Sequence, residues 1–135
     1  MRQLPLLLCA ALLVSACASP VARDAGLDKL ALRKAEQDLS AGIRAYEDGD
    51  YKTAPRLLQS ALDNGLLLRS DKVAAHKYLA FMHCAQSREK PCRDEFRMAL
   101  ALDPDFELSA AESGHPGWGP VFRNLKADRG KKPQK

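Results

Sequence analysis

The chain has 135 residues, enough for one small domain and too few for two. Charged residues make up 28% and aromatic residues 6%, with 8 glycines and 8 prolines, a balance that suits a helical domain and excludes collagen-like, mucin-like and multi-pass membrane chains. The formal net charge of +4 resides at the ends: Arg2 supplies +1, and residues 126–135 supply +4 (Lys126, Arg129, Lys131, Lys132 and Lys135 against Asp128). The body between them sums to −1, so no basic patch for nucleic acid is expected and the final residues, 127–135, read as a disordered basic tail.

At the amino terminus, Arg2 precedes an apolar stretch from Leu4 to Val14, and Ser15-Ala16 stand before Cys17. Charge, apolar run and small residues are the three parts of a secretory signal, and the run is too short to span a bilayer. Val14-Ser15-Ala16-Cys17 resembles the bacterial lipobox, in which the cysteine is diacylated on sulfur and becomes the first residue of the mature protein. The resemblance implies a signal peptide over 1–16, lipidation at Cys17, and a tether over 17–27. Ala18-Ser19 after the cysteine, with no Asp at the second position, implies sorting to the outer membrane. Several acyl chains hold a protein stably where one binds only marginally.

A helical domain is expected over 28–126. From Leu27 to Asp48, Ala, Leu, Lys, Arg and Glu dominate without proline, which predicts a first helix. Gly49-Asp50 interrupts it. Between Tyr51 and Asp63, Ala54, Leu57, Leu58, Ala61 and Leu62 recur at three and four, Pro55 falls near the helix start, and Asn64-Gly65 forms a left-handed stop. Ser70 or Asp71 caps a third helix over Val73 to Gln86. Ser87-Arg88-Glu89 turns, and a fourth helix runs from Lys90-Pro91 to a stop before Asp103-Pro104.

The two hairpins superpose at a constant offset of 38: Ala54 on Cys92, Leu58 on Phe96, Ala61 on Ala99, Gly42 on Ala80. That offset is the 34-residue tetratricopeptide period plus four residues inserted between hairpins. Gly42, Gly49-Asp50-Tyr51, Ala54, Leu58 and Ala61 in the first copy, with Ala80, Phe96, Ala99 and Pro104 in the second, resemble that repeat, over about 35–68 and 73–106. Small residues at Gly42, Ala54, Ala80 and Cys92 let paired helices approach, and Leu58 and Phe96 fill the space beside them. His83 departs from the tyrosine usual in the family, and Leu66 from its closing proline.

After Pro104 the pattern changes. Ser109 with Glu112 fits a capping box for a single turn, and Pro120 suits the first residue of a short helix through Lys126, with Trp118, Phe122 and Leu125 near one face. A two-repeat array leaves an apolar end, so 107–126 is expected as a cap. Trp118 in its Gly/Pro-rich loop also suits a partner-binding anchor.

Taken together, the lipobox, Ala45-Tyr46-Glu47-Asp48-Gly49-Asp50-Tyr51, His76-Lys77-Tyr78-Leu79-Ala80-Phe81, Cys92-Arg93-Asp94-Glu95-Phe96-Arg97 and Gly114-His115-Pro116 before Trp118-Gly119-Pro120-Val121-Phe122 resemble the small tetratricopeptide lipoproteins associated with type VI secretion systems. The resemblance implies an all-α fold of two hairpins plus a short C-terminal capping helix. It also implies an accessory role at the periplasmic face of the outer membrane, with secretion-system proteins as partners. A pilotin-like or chaperone-like lipoprotein of envelope assembly is the alternative, and a periplasmic redox protein using Cys84 and Cys92 a third reading.

The chemistry-bearing residues are few. Cys9 would leave with the signal and Cys17 would carry lipid, so Cys84 and Cys92 remain as an even pair, favouring a disulfide in an oxidising compartment over two buried thiols. With His83 they do not make the usual zinc spacing. His76 and His83 lie seven apart on one helix, and His115 precedes Pro116 in a loop. No phosphate loop, nucleophile elbow or HExxH occurs, so neither catalysis nor a cofactor is expected. The expected site is a surface. By resemblance to tetratricopeptide domains, first helices line a concave face, presenting Leu39, Ile43, Tyr46, Lys77 and Phe81 to a peptide, unless the segment 105–126 closes that face into core.

Overall fold

The computed structural model describes residues 20–131. Six helices and no strand occur among them: α1 (Pro20–Glu47), α2 (Ala54–Asp63), α3 (Arg69–Ala85), α4 (Glu89–Leu102), α5 (Ala110–Ser113) and α6 (Gly119–Gly130). α1 packs on α2 and α3 on α4 as two hairpins, α3 also rests against α2 and α1, and α6 covers α4.

Local chemistry explains the breaks. Gly49 takes φ +80 and Gly65 φ +84, left-handed values that any side chain would strain. Between α1 and α2, Asp50 Oδ1 accepts the backbone N–H of Lys52 (3.2 Å) and of Thr53 (2.9 Å), holding the turn. Pro55 lies in the first turn of α2, where its missing N–H costs nothing. At α5, Ser109 and Glu112 form both halves of a capping box.

Several boundaries differ from the sequence reading. α1 begins at Pro20 and takes in residues assigned to a tether: Pro20 suits a helix start, and the single Gly26 does not break a run of helix formers. α3 starts at Arg69, with Leu68 at the N-cap and no side-chain cap from Ser70 or Asp71. α6 continues past Lys126 to Gly130, so 127–130, read as disordered tail, are helical and solvent-exposed. The signal segment and Cys17 lie outside the described residues.

The helices close over two apolar clusters. Ala35, Leu39, Ala54, Leu58, Ala61, Leu66, Ala75, Leu79 and Met82 form the first; Ala80, Phe81, Cys92, Phe96, Leu100, Leu108, Trp118, Phe122 and Leu125 form the second. α3 therefore has two buried faces, one toward each cluster, and Tyr46 and Tyr78 pack against both. Small residues sit where helices cross: a Cβ on Gly42 would lie 2.8 Å from Leu58 Cγ and 3.1 Å from the Leu58 backbone nitrogen. Cys84 and Cys92 form a disulfide between α3 and α4, with their Cα atoms 5.1 Å apart. Leu66 closes the first cluster from the α2–α3 connection.

Candidate functional site

Where the end of α1, the C-terminal half of α3 and the cap meet, aromatic rings form a continuous cluster. Tyr46 lies 5.0 Å from Tyr78 and 5.7 Å from Tyr51 between ring centroids, and Tyr78 lies 5.9 Å from Phe81. Phe81 stacks on Trp118 at 4.3 Å with ring planes 20° apart, and the other face of the indole carries His115, stacked at 3.4 Å. Edge-on contacts such as that of Tyr78 with Phe81 add to simple area burial. Between these rings opens a cleft of about 310 Å³, lined by Tyr46, Tyr51, Phe81, Met82, Ala85, Gln86, His115 and Trp118.

The cap is held by polar groups converging on Glu112. Lys77 Nζ donates to Glu112 Oε1 at 2.6 Å, the Ser109 backbone N–H donates to Glu112 Oε2 at 2.9 Å, and Trp118 Nε1–H donates to the Glu112 carbonyl at 2.9 Å. Burial pushes the Glu112 carboxyl up, but the hydrogen bonds from Lys77 and Ser109 outweigh it and hold the group below its ordinary range. Lys77 also sits 4.5 Å from the Tyr78 ring centroid and 5.6 Å from that of Phe81. The Tyr46 hydroxyl is pushed up, by burial first and then by Tyr51, Tyr78 and Glu112 nearby. His115 Nδ1 accepts the Gly117 N–H at 3.0 Å and Gly119 N–H reaches the His115 carbonyl at 2.9 Å, so the histidine braces its own loop.

The expected concave face is not one surface. Phe81 is 1% exposed and Trp118 8%, and each covers the other, so both belong mainly to the core and present only edges to the cleft. Lys77 is committed to Glu112 rather than to a free groove. Leu39 and Ile43 lie apart, with Glu36, Ser40, Arg44, Glu47 and Asp71, along a shallow groove beside α1. Of the six residues read as partner-binding, Tyr46 remains in the cleft with the edges of Phe81 and Trp118. The segment 105–126 divides the face because its indole and Glu112 find their partners on α3.

Tyr51, 54% exposed, and His115 line the cleft and are absent from the sequence-derived set. Tyr51 carried a signal, an aromatic residue following a Gly-Asp turn. His115 carried none, because its stacking depends on the path of the cap loop.

The other titratable groups serve packing. His76 Nδ1 lies 2.6 Å from Glu95 Oε2 and joins α3 to α4. His83 Nδ1 is buried without a hydrogen-bond partner, and burial, then the nearby Arg88, lowers its pKa, so the imidazole is held neutral. Lys34 and Ser60 both donate to Asp38 Oδ2 at 2.5 Å, tying α1 to α2. Among the described residues no three His, Cys, Asp or Glu side chains gather to hold a metal ion, and no helix is long and apolar enough to cross a membrane. No known protein family, curated protein or solved structure matches the chain.

Proposed function

We propose that the protein is a passive docking platform: two tetratricopeptide-like hairpins with a C-terminal cap, anchored through lipid on Cys17 to the periplasmic face of the outer membrane, serving as an accessory component of a type VI secretion system. The observation that carries the docking reading is the aromatic cleft. Aromatic side chains that are held rigid and partly exposed lose little entropy on binding and are the usual anchors of protein interfaces. Tyr51 and His115 offer such faces at the rim, over a floor of Phe81 and Met82. A cleft of about 310 Å³ accommodates one or two side chains from a partner rather than a whole helix. The secretion-system assignment rests on the sequence resemblance alone.

A structural role for the disulfide is favoured over thiol exchange, because Cys92 is 1% exposed and packs within the second cluster. The test is affinity recovery of the full chain from crosslinked envelopes, beside a Tyr51→Ser/His115→Ala variant. Secretion-system components are expected with the native chain and are expected to be lost with the variant. Recovery of outer-membrane assembly factors alone would overturn the secretion reading in favour of the envelope-assembly role. Equal recovery by both proteins would remove the cleft as the docking site.

A further inference from the structure

Six large apolar side chains are exposed among the described residues, and four of them, Leu27, Leu30, Leu67 and Leu68, are between 62% and 69% exposed. These four gather at one end of the molecule. On α1, Lys34 and Asp38 already contact Ser60 near the end of α2, so the residues before Lys34 project past the partner helix. Leu67 and Leu68 lie in the connection that leaves α2 at that end, just before Asp71 takes its place beside Glu36 and Leu39. Leu27 and Leu30, three residues apart, share one side of the overhanging helix.

Long cationic side chains, Lys29, Arg33, Lys34, Arg69 and Lys72, alternate at this end with Asp28, Glu36, Asp38, Asp63 and Asp71, so the exposed apolar area and not a net charge distinguishes it. Exposed leucines flanked by long Lys and Arg side chains suit a lipid interface, where the stems cover apolar area while the charges reach phosphate.

We propose that this end seats in the headgroup layer of the anchoring membrane, with Leu27, Leu30, Leu67 and Leu68 entering the acyl boundary and Lys29, Arg33, Arg69 and Lys72 reaching lipid phosphate. The proposal rests on lipidation at Cys17. Two residues, Ala18 and Ser19, separate Cys17 from Pro20, at most about 10 Å of chain over three steps, and seven helical residues to Leu27 add about 10 Å. Leu27 therefore lies within about 20 Å of the acylated sulfur's own residue, and a helix leaving at a shallow angle brings both α1 leucines to the boundary. The opposite tip of the first hairpin, with Tyr51 and the aromatic cleft, then faces away from the lipid and toward soluble partners.

The test uses the full chain in intact envelopes, with p-benzoylphenylalanine placed singly at positions 27, 30, 67 and 68, and at the exposed Met98 on α4 as the control. After irradiation, mass spectrometry reads both the adduct and the acylation of Cys17. Phospholipid adducts at the four positions, at least several-fold above position 98, are expected. Adducts to a second copy of the chain or to another protein at those positions would overturn the proposal. So would no lipid adduct while Cys17 is acylated, which leaves the anchor standing. An unacylated Cys17 would bring down the anchor and the seating together.

Discussion

Replacing Trp118 with alanine separates a cap from a binding knob. If the indole lies where Phe81, His115 and the Glu112 carbonyl place it, truncation opens a cavity in the second cluster and orphans an acceptor. A tryptophan buries about 150–250 Å². At about 25 cal/mol per Å² the loss is about 4–6 kcal/mol, an upper bound because the unfolded chain already covers some of that surface. Core truncations of this kind cost about 3–5 kcal/mol. In a domain near 100 residues each kcal/mol moves Tm by about 4–8 °C, so Trp118→Ala is expected to lower it by about 12 °C or more. Trp118→Phe keeps a ring on Phe81 but loses the N–H and one of the two fused rings, for an intermediate cost of about 2 kcal/mol. Urea titration followed by helical circular dichroism measures all three proteins. A loss below about 0.5 kcal/mol for the alanine variant would put the indole in solvent and refute the stacked cap.

Three further outcomes follow from the same packing. Gly119→Ala is expected to destabilise by about 2 kcal/mol, since the new Cβ would meet the Ser113 carbonyl oxygen at 2.2 Å, whereas Gly26→Ala, with nothing within 4 Å, should stabilise α1 by up to about 1 kcal/mol; denaturation midpoints decide. Glu112→Gln preserves the capping box but removes the charge facing Lys77, for about 1–2 kcal/mol at pH 7. Because the folded carboxyl titrates below its ordinary value of 4.5, its contribution is complete above that value and is lost as pH falls through the lowered one, so the two proteins' stabilities should converge in acid and stay parallel above pH 5. Reducing the disulfide, whose cysteines are separated by 8 residues, should cost about 2.5 kcal/mol at 25 °C by loop entropy, and an unchanged melting curve with reductant would refute its contribution.

Periodicity and punctuation made much of this chain legible before its structure. Apolar spacing at three and four, Gly49, Asn64-Gly65, and Ser109 with Glu112 are local instructions, satisfied within a turn or two of chain, and they account for the helix order, the two hairpins and the capping box. The constant offset between Ala54 and Cys92, or Leu58 and Phe96, likewise reflected small and large residues demanded by helix crossings. Local reasoning erred at the ends: nothing near Pro20 or Lys126 stops a helix, and α1 and α6 run on.

The binding face could not be read in the same way. Whether Lys77, Phe81 and Trp118 meet solvent depends on where a loop 35 residues after Lys77 returns, and no local pattern encodes that return. Sequence alone determined the order of the helices and which of their faces are apolar, because propensity and spacing act over a few residues. Only the tertiary structure decided which of those faces find a partner, because burial and ion pairing depend on distances between segments far apart in the chain.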